Sequence, residues 1–503
     1  MSGKNQQDVN SYSEEQSRYY QVRDASIRGT GAGIVAMLGQ ACLRFGAVAV
    51  LARLLTPEDF GIVAMSGILL NLVTLIGDWG LTAAATQRLD LSYDQLSKLF
   101  WINSLLGLTL AGVTALCAPL LALLFGEPRV IVTTIALSVS VVTIAVGAQH
   151  EALMRRQLRY RTLQFVRLGA HALGISVGVS VALAGGGFWA LVAIHVVMQI
   201  ARTGLNWMLS GWTPRWPKRA VDVSSVVRFG NNLVPSAILF YFSRNAAPTM
   251  LGAVAGAPEL GLYNRASVSV MTPLGYLVEP LERVVPASLS RLQRDVAAFN
   301  RLFAQTLTVT AFAGCGALVL VAVEAPAVVA VLLGKQWEAA IPLVRWLTLS
   351  GATWIVGKLV GWLLVPRGHV GRLVVIRLMR CVASVGGVMV GWTWGPVGVA
   401  AGYGIATAVS LIGEIWYVGP VLSMEGRAVF RAVWRPIVAA LLAAGLVLAI
   451  PSGSGIWWTA LNVALYVGAF IGSHAVLPGG LRFMQDLRRA LTIATVGERR
   501  DQG

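Results

Sequence analysis

Residues 154–161 read Met154-Arg155-Arg156-Gln157-Leu158-Arg159-Tyr160-Arg161, and a few positions on, from 168 to 201, the chain carries no Asp, Glu, Lys or Arg. That charge-free run is broken near its middle by Gly185-Gly186-Gly187. An apolar helix needs roughly 20 residues to cross a bilayer, so the run divides into two crossings joined by a tiny turn at the glycines. The basic octet before it is the kind of segment that resists translocation and stays inside. Together these features predict a helical hairpin whose tip faces outward.

The same pattern recurs at 381–413, broken at Gly395-Pro396, and at 436–481, broken at Pro451-Ser452-Gly453. Single-length charge-free runs occupy 104–126, 130–149 and 302–323. Between residues 29 and 478 about fourteen apolar stretches of spanning length can be laid down. With the N-terminus inside, the outside connections hold only Arg53, Arg129 and Lys335, whereas most of the 40 Lys+Arg gather in the inside connections and tails. Arg44, Arg244, Arg265, Arg345 and Lys358 fall within or at the edges of spans. A chain 56% hydrophobic and 13% charged, with mean hydropathy +0.68, is too apolar for a soluble fold. It lacks the alternation of a membrane barrel, which leaves helices.

The expected architecture is an all-α polytopic membrane protein with about fourteen transmembrane helices: two parallel six-helix bundles and a C-terminal helix pair. The parts are a cytoplasmic N-terminal tail at 1–28, a first bundle at 29–209, and a cytoplasmic inter-bundle loop at 210–228. A second bundle at 229–418, the extra pair at 432–477 and a cytoplasmic tail at 478–503 follow. Within this scheme span three covers 100–125 and span eight covers 261–282, with inside loops at 153–165 and 283–301. No loop is long enough to fold separately, so function resides in the membrane. The parallel arrangement rests on an echo: Thr56-Pro57-Glu58-Asp59-Phe60-Gly61-Ile62 opens span two, and Ala257-Pro258-Glu259-Leu260-Gly261-Leu262-Tyr263 opens span eight. Six spans separate the copies, an even number, so both have one orientation. A shared helix-start signal is the other reading of the same residues.

The net charge of +17 is accounted for mostly by inner-leaflet anchoring on membrane lipid, and nothing in its pattern calls for nucleic acid. No signal peptide is visible in the polar residues 1–28, and the first span would direct insertion. Cys42, Cys117, Cys315 and Cys381 each lie in apolar spans without metal-ligand spacing and read as packing residues. Small-residue spacings such as Gly174/Gly178, Gly357/Gly361, Gly387/Gly391 and Gly398/Gly402 read as helix contacts. No cofactor is expected.

Intramembrane polar residues are the functional candidates. Arg244 and Asn245 sit mid-span beside Pro248, and Arg244 either meets substrate or pairs with Asp78 or Glu279. Asp78, in Gly77-Asp78-Trp79-Gly80-Leu81, binds a proton or cation or caps a loosened helix; Arg44 in span one is placed to meet it. Glu414 is a lone acid in a long apolar run, for ion coupling or for snorkelling to the inner surface. Arg265, in Tyr263-Asn264-Arg265, binds phosphate or sugar by charge-assisted hydrogen bonds or sits at the interface. His150 and Glu151 adjoin the basic loop and read as interfacial.

Leu54-Leu55-Thr56-Pro57-Glu58-Asp59-Phe60-Gly61 and Glu259-Leu260-Gly261-Leu262-Tyr263-Asn264-Arg265-Ala266 resemble the Wzx-type polysaccharide exporters of the multidrug/oligosaccharidyl-lipid/polysaccharide (MOP) superfamily. The colanic-acid and teichuronic-acid exporter subgroup is the nearest likeness. Supporting matches are Gly77-Asp78-Trp79-Gly80-Leu81, Tyr241-Phe242-Ser243-Arg244-Asn245 and Gly334-Lys335-Gln336-Trp337, and the likeness runs over nearly the whole chain.

The resemblance implies an inner-membrane flippase, not an enzyme, that moves undecaprenyl-pyrophosphate-linked oligosaccharide repeat units by alternating access, driven by an ion gradient. Polymerase and chain-length regulator would be pathway partners. Arg244, Asn245, Arg44 and Arg265 become expected substrate residues, and Asp78 and Glu414 expected coupling residues. Relatives place an acid shortly after Ser-Arg-Asn, where this chain has Ala246-Ala247-Pro248. The competing readings are a peptidoglycan-precursor flippase, a drug/cation antiporter, and a membrane polymerase or ligase. Antiport expects acids rather than arginine inside the bundle; a polymerase needs larger outside loops than these.

Overall fold

Backbone groups in hydrocarbon have no water to bond, so each spanning segment must close its hydrogen bonds on itself. The computed structural model describes residues 39–77, 92–217, 234–419, 426–450, 455–481 and 483–485; among them the ordered elements are helices, with no strand. Nine segments among the described residues are long and apolar enough to cross a membrane. The chain divides into two compact units, unit 1 through Ile238 with a return at Gly256–Pro258, and unit 2 at Leu239–Ala255 and from Glu259 onward. Asp78, the tail at 1–28 and most of the 210–228 loop lie outside the described residues.

Unit 1 contains helix α1 at 39–54, then α2 (Pro57–Gly77), α3 (Tyr93–Leu116), a short α4 (Ala118–Phe125), α5 (Arg129–Arg156), α6 (Tyr160–Leu183) and α7 (Trp189–Ser210). The hairpin expected from the charge-free run is α6 and α7. Its turn places Gly185 at φ +80 and Gly187 at φ +51, a left-handed backbone that glycine adopts freely. The two helices touch through missing side chains: a Cβ on Gly174 would lie 2.8 Å from the Ile194 carbonyl oxygen, and one on Gly178 2.0 Å from Ile194 Cγ1. The basic loop before the hairpin is shorter than expected. Helix α5 runs to Arg156 and α6 starts at Tyr160, with Leu158 at φ 55 between them.

At the start of α2, Asp59 Oδ2 accepts from Thr56 N (2.9 Å) and Thr56 Oγ1 (2.8 Å), which organises the helix N-terminus. Arg129, opening α5, pairs with Glu58 of α2 and with Glu127. The hydrogen bond from Arg129 holds the Glu127 carboxyl below the usual carboxylate range.

Unit 2 contains most of α8 (Val234–Val254), then α9 (Ala257–Arg291), α10 (Val296–Val323), a short α11 (Ala325–Leu332), a 3-10 turn (Lys335–Ala340) and α12 (Ile341–Leu364). It continues with α13 (Val370–Gly391), α14 (Gly395–Val418), α15 (Gly426–Ala449) and α16 (Ile456–Val476). Helices α13 and α14 are backbone-close: a Cβ on Gly391 would lie 2.1 Å from the Gly398 carbonyl oxygen, and one on Gly402 2.1 Å from that of Gly387. The C-terminal pair docks on α10, where Tyr466 donates to the Gly316 carbonyl at 3.0 Å and Phe470 covers the face that Gly316 leaves bare.

Two expected spans have different bounds. Span eight, expected at 261–282, is longer: α9 continues to Arg291 through Pro273, Pro280 and Pro286. Val285 and Leu289 are buried, so packing holds the helix together beyond the charge. Span three, set at 100–125, begins instead at Tyr93 with a Ser92/Gln95 capping box and breaks at Cys117, where Ala118-Pro119 opens α4. Unit 2 repeats the break: Ala325-Pro326 opens the short α11 directly after α10. Each unit thus carries the same Ala-Pro break at the end of its third long helix, a second structural echo beside the Pro57 and Pro258 helix starts.

In a background without native cysteines, a cysteine at Phe188 in the α6–α7 turn should react with an impermeant maleimide added outside, and one at Arg159 only after permeabilisation. Equal labelling of both from outside would refute this orientation of the hairpin.

Candidate functional site

A charged side chain deep in hydrocarbon costs roughly 2.5–3.5 kcal/mol on insertion scales, so each one is a place where the fold has made provision. Arg380 on α13 is 5% exposed and Glu414 on α14 is 2% exposed. Arg380 Nε donates to Glu414 Oε1 at 2.8 Å and Nη2 to Oε2 at 2.7 Å, a bidentate pair. Ser410, one turn earlier on α14, donates to Glu414 Oε1 at 3.3 Å. Space for the guanidinium comes from α12: a Cβ on Gly357 would lie 2.1 Å from Arg380 Nη2.

Arg377 lies three residues earlier on α13, its guanidinium 4.6 Å from the centre of the Phe240 ring on α8. Gly361, one turn beyond Gly357, faces it, with an added Cβ 3.5 Å from Arg377 Nη2. Ser384 donates to Ser243 at 3.2 Å, tying α13 to α8 directly beside Arg244. Arg244 is exposed within unit 2 and lies within electrostatic reach of Tyr263 on α9 and Tyr403 on α14. Arg380 also acts on Tyr403. Around this point α8, α9, α12, α13 and α14 converge on three guanidiniums and one carboxylate. Among the described residues, neither Arg244 nor Arg377 forms an ion pair.

Of the residues expected from sequence, Arg244 and Glu414 come to this cluster, with Glu414 bound to Arg380 rather than to Arg244. Asn245 Nδ2 donates to the Tyr241 carbonyl of its own helix at 2.9 Å. Arg265 is half-buried on α9 and donates to Asn264 Oδ1 at 2.7 Å. Arg44 is exposed on α1 in unit 1, within electrostatic reach of His171. Sequence reasoning missed Arg377 and Arg380, which it assigned to the inner flank of their span. Their three-residue spacing, continuing into an otherwise charge-free helix, was the available signal.

Unit 1 has its own ionic centre. Glu151, expected at the interface, is 7% exposed. It accepts from Arg155 on α5 at 2.6 Å, Arg167 on α6 at 3.2 Å and Arg202 on α7 at 2.5 Å. His150 beside it is fully buried and stacks on Trp207 at 4.3 Å, with Phe100 and Trp212 completing an aromatic cage. Each unit therefore has a guanidinium–carboxylate junction, joining α5, α6 and α7 in unit 1 and α13 and α14 in unit 2.

Residues 50–342 match the polysaccharide biosynthesis protein family. The chain is 24% identical over 429 residues to lipopolysaccharide biosynthesis protein WzxC of Escherichia coli (strain K12), covering 84% of this chain and 86% of that one. It is 26% identical over 452 residues to succinoglycan biosynthesis transport protein ExoT of Rhizobium meliloti (strain 1021), covering 89% and 90%. In fold it is similar to the lipid II flippase MurJ in an inward closed conformation, with TM-score 0.72 at 12% identity over 92% of this chain and 99% of that one. An inward-facing MATE-family multidrug resistance transporter of the MOP superfamily aligns with TM-score 0.57 at 14% identity over 76% and 94%. The multi-helix transporter fold of that superfamily is the fold of this chain.

Removing one partner of a buried ion pair typically costs about 3–5 kcal/mol, whereas replacing both by apolar residues is often neutral. Glu414→Gln should therefore lower the melting temperature in detergent, and the double change Arg380→Leu with Glu414→Leu should recover most of the loss. If Glu414→Gln melts like the parent, the pair does not hold α13 to α14.

Proposed function

Since this chain belongs to the polysaccharide biosynthesis protein family, we propose that it exports polysaccharide precursors as a flippase of the MOP superfamily. Its substrate in this reading is an undecaprenyl-pyrophosphate-linked oligosaccharide repeat unit, carried from the inner to the outer leaflet of the inner membrane for exopolysaccharide, capsule or O-antigen synthesis. Both termini are cytoplasmic, and the pathway's polymerase and chain-length regulator receive the product.

The observation that carries this reading is the surplus of positive charge inside unit 2. Arg380 is neutralised by Glu414, while Arg244 and Arg377 carry charge with no ion-pair partner among the described residues. A guanidinium offers a planar fork of donors matched to phosphate oxygens, so two such groups suit a pyrophosphate. The same surplus repels a cationic drug, which disfavours antiport of that class. Arg265 and Asn245 belong to the substrate path in this reading, as does Arg44 on its own unit. Alternating access is coupled to an ion gradient through Asp78 and Glu414, the latter sharing its carboxylate with Arg380.

One charge-assisted contact contributes about 1.5–3 kcal/mol, equivalent to roughly a tenfold to hundredfold effect. Arg244→Ala and Arg377→Ala should each reduce polymer export by that order with normal membrane levels of protein, and Arg→Lys should retain part of it. Extraction of the lipid-linked sugar pool should then find pyrophosphate-linked repeat units trapped in the inner leaflet. A normal pool in the deletion strain would refute the reading, and intact units stranded unpolymerised in the outer leaflet would point to a polymerase.

A further inference from the structure

Unit 1 holds a cavity of about 290 Å³ lined from α2, α3, α5 and α7. One wall is apolar, formed by Leu110, Val141 and Ile144. The rest of the lining is more polar, with Asn103, Gln199, Thr203 and Asn206, and with Glu151, Arg155 and Arg202 at its inner end. Asn103 is 4% exposed and Asn206 2% exposed. Among the described residues neither the amide nitrogen nor the oxygen of Asn103 has a hydrogen-bond partner, and Asn206 Oδ1 has none either. Thr203, by contrast, is already used, donating to the Thr143 carbonyl at 2.7 Å.

Buried carboxamides left unpaired are costly, and empty protein cavities are ordinarily apolar, so this lining calls for a polar occupant. Its charge is constrained by the inner end. Three guanidiniums surround one carboxylate there, which repels a cation. An anion offers acceptors alone and cannot donate to Asn103 Oδ1 or Asn206 Oδ1, both of which lack a donor among the described residues. A neutral group that both donates and accepts remains, with one face apolar enough to lie on Leu110 and Val141. A pyranose ring has these properties: hydroxyls around its edge and C–H bonds on its face. At roughly 30 Å³ per water the space would take about ten waters, which is also sufficient for one such ring.

We propose that the unit 1 cavity is a sugar subsite, taking one neutral pyranose ring through the carboxamides of Asn103 and Asn206. Assignment of that ring to the lipid-linked repeat unit rests on the flippase reading; the presence of a sugar subsite does not.

The test uses the full chain purified into lipid nanodiscs and the methyl pyranosides of glucose, galactose and N-acetylglucosamine, with binding read by saturation-transfer NMR. At least one glycoside should bind saturably. Asn103→Leu and Asn206→Leu should weaken it at least tenfold, and Trp457→Ala, at an exposed position of α16, should leave it unchanged. Leucine is close in shape to asparagine and removes an unpaired polar group, so these variants should melt no lower than the parent, and Asn103→Ser gives an intermediate case. The same leucine variants should lose export in cells. No saturable binding, indicating a pocket filled by water only, would overturn the subsite, as would leucine variants that bind or export like the parent. Repeat units extracted from the deletion strain should displace the glycoside; binding that they fail to displace would reject the lipid-linked source. A deletion strain that accumulates no lipid-linked sugar would sink the flippase reading while leaving glycoside binding to be judged by itself.

Discussion

A guanidinium cannot give up its charge at any pH the protein meets, so an arginine inside a membrane bundle must be answered by the rest of the fold. The Arg380–Glu414 pair is the fullest answer in this molecule. Both groups are taken out of water, and the attraction repays that cost only because two hydrogen bonds form at 2.7 and 2.8 Å and Ser410 supports the carboxylate. The geometry leaves little freedom. Helices α13 and α14 must hold one rotation and one register, and α12 must present glycine at 357, where a Cβ would fall 2.1 Å from the guanidinium. The close backbones at Gly387, Gly391, Gly398 and Gly402 belong to the same constraint, since a wider hairpin would pull the fork away from its carboxylate.

This changes the meaning of some small residues. Glycines spaced by four in an apolar helix are usually read as places where two helix backbones touch. That is correct for Gly174, Gly178, Gly391 and Gly402, which face another helix. Gly357 and Gly361 have the same spacing, but the atoms nearest to them include guanidinium nitrogens of Arg380 and Arg377. Their role is to seat charge rather than to bring helices together.

The hairpins were legible in sequence because their signals are local: an absence of charge, a turn of glycine or proline, and a basic flank. The helix starts at Pro57 and Pro258 were legible for the same reason. What failed was information carried between helices. Glu151 stands five residues from the end of α5 and was read as interfacial, yet its carboxylate serves arginines on α6 and α7 as well as its own helix. Arg380 stands about 15 Å into α13 at 1.5 Å per residue, but a rule that counts basic residues by side of the membrane files it with the inner loop. The partner of Glu414 could not be read because rotation about the helix axis decides it, and composition is silent on rotation. The extension of α9 past Glu282 was hidden because the burial of Val285 and Leu289 depends on neighbouring helices.

The two ionic centres also differ in a way that bears on division of labour. In unit 1 the surplus charge is gathered on one acid: all three arginines bond Glu151, and α5, α6 and α7 are fastened together by it. In unit 2, among the described residues, the acid pairs with Arg380 alone and Arg377 rests on an aromatic face without an ion pair. A cation–aromatic contact is weaker than a buried ion pair and leaves the guanidinium hydrogens free to meet an incoming anion. The first arrangement fastens three helices with its charged groups and sets them beside uncharged carboxamides in the cavity lining; the second leaves Arg377 without an ion pair among the described residues. A charged lipid bearing neutral sugars, the cargo proposed above, calls for both kinds of surface, and the two proposals assign them to different helical units.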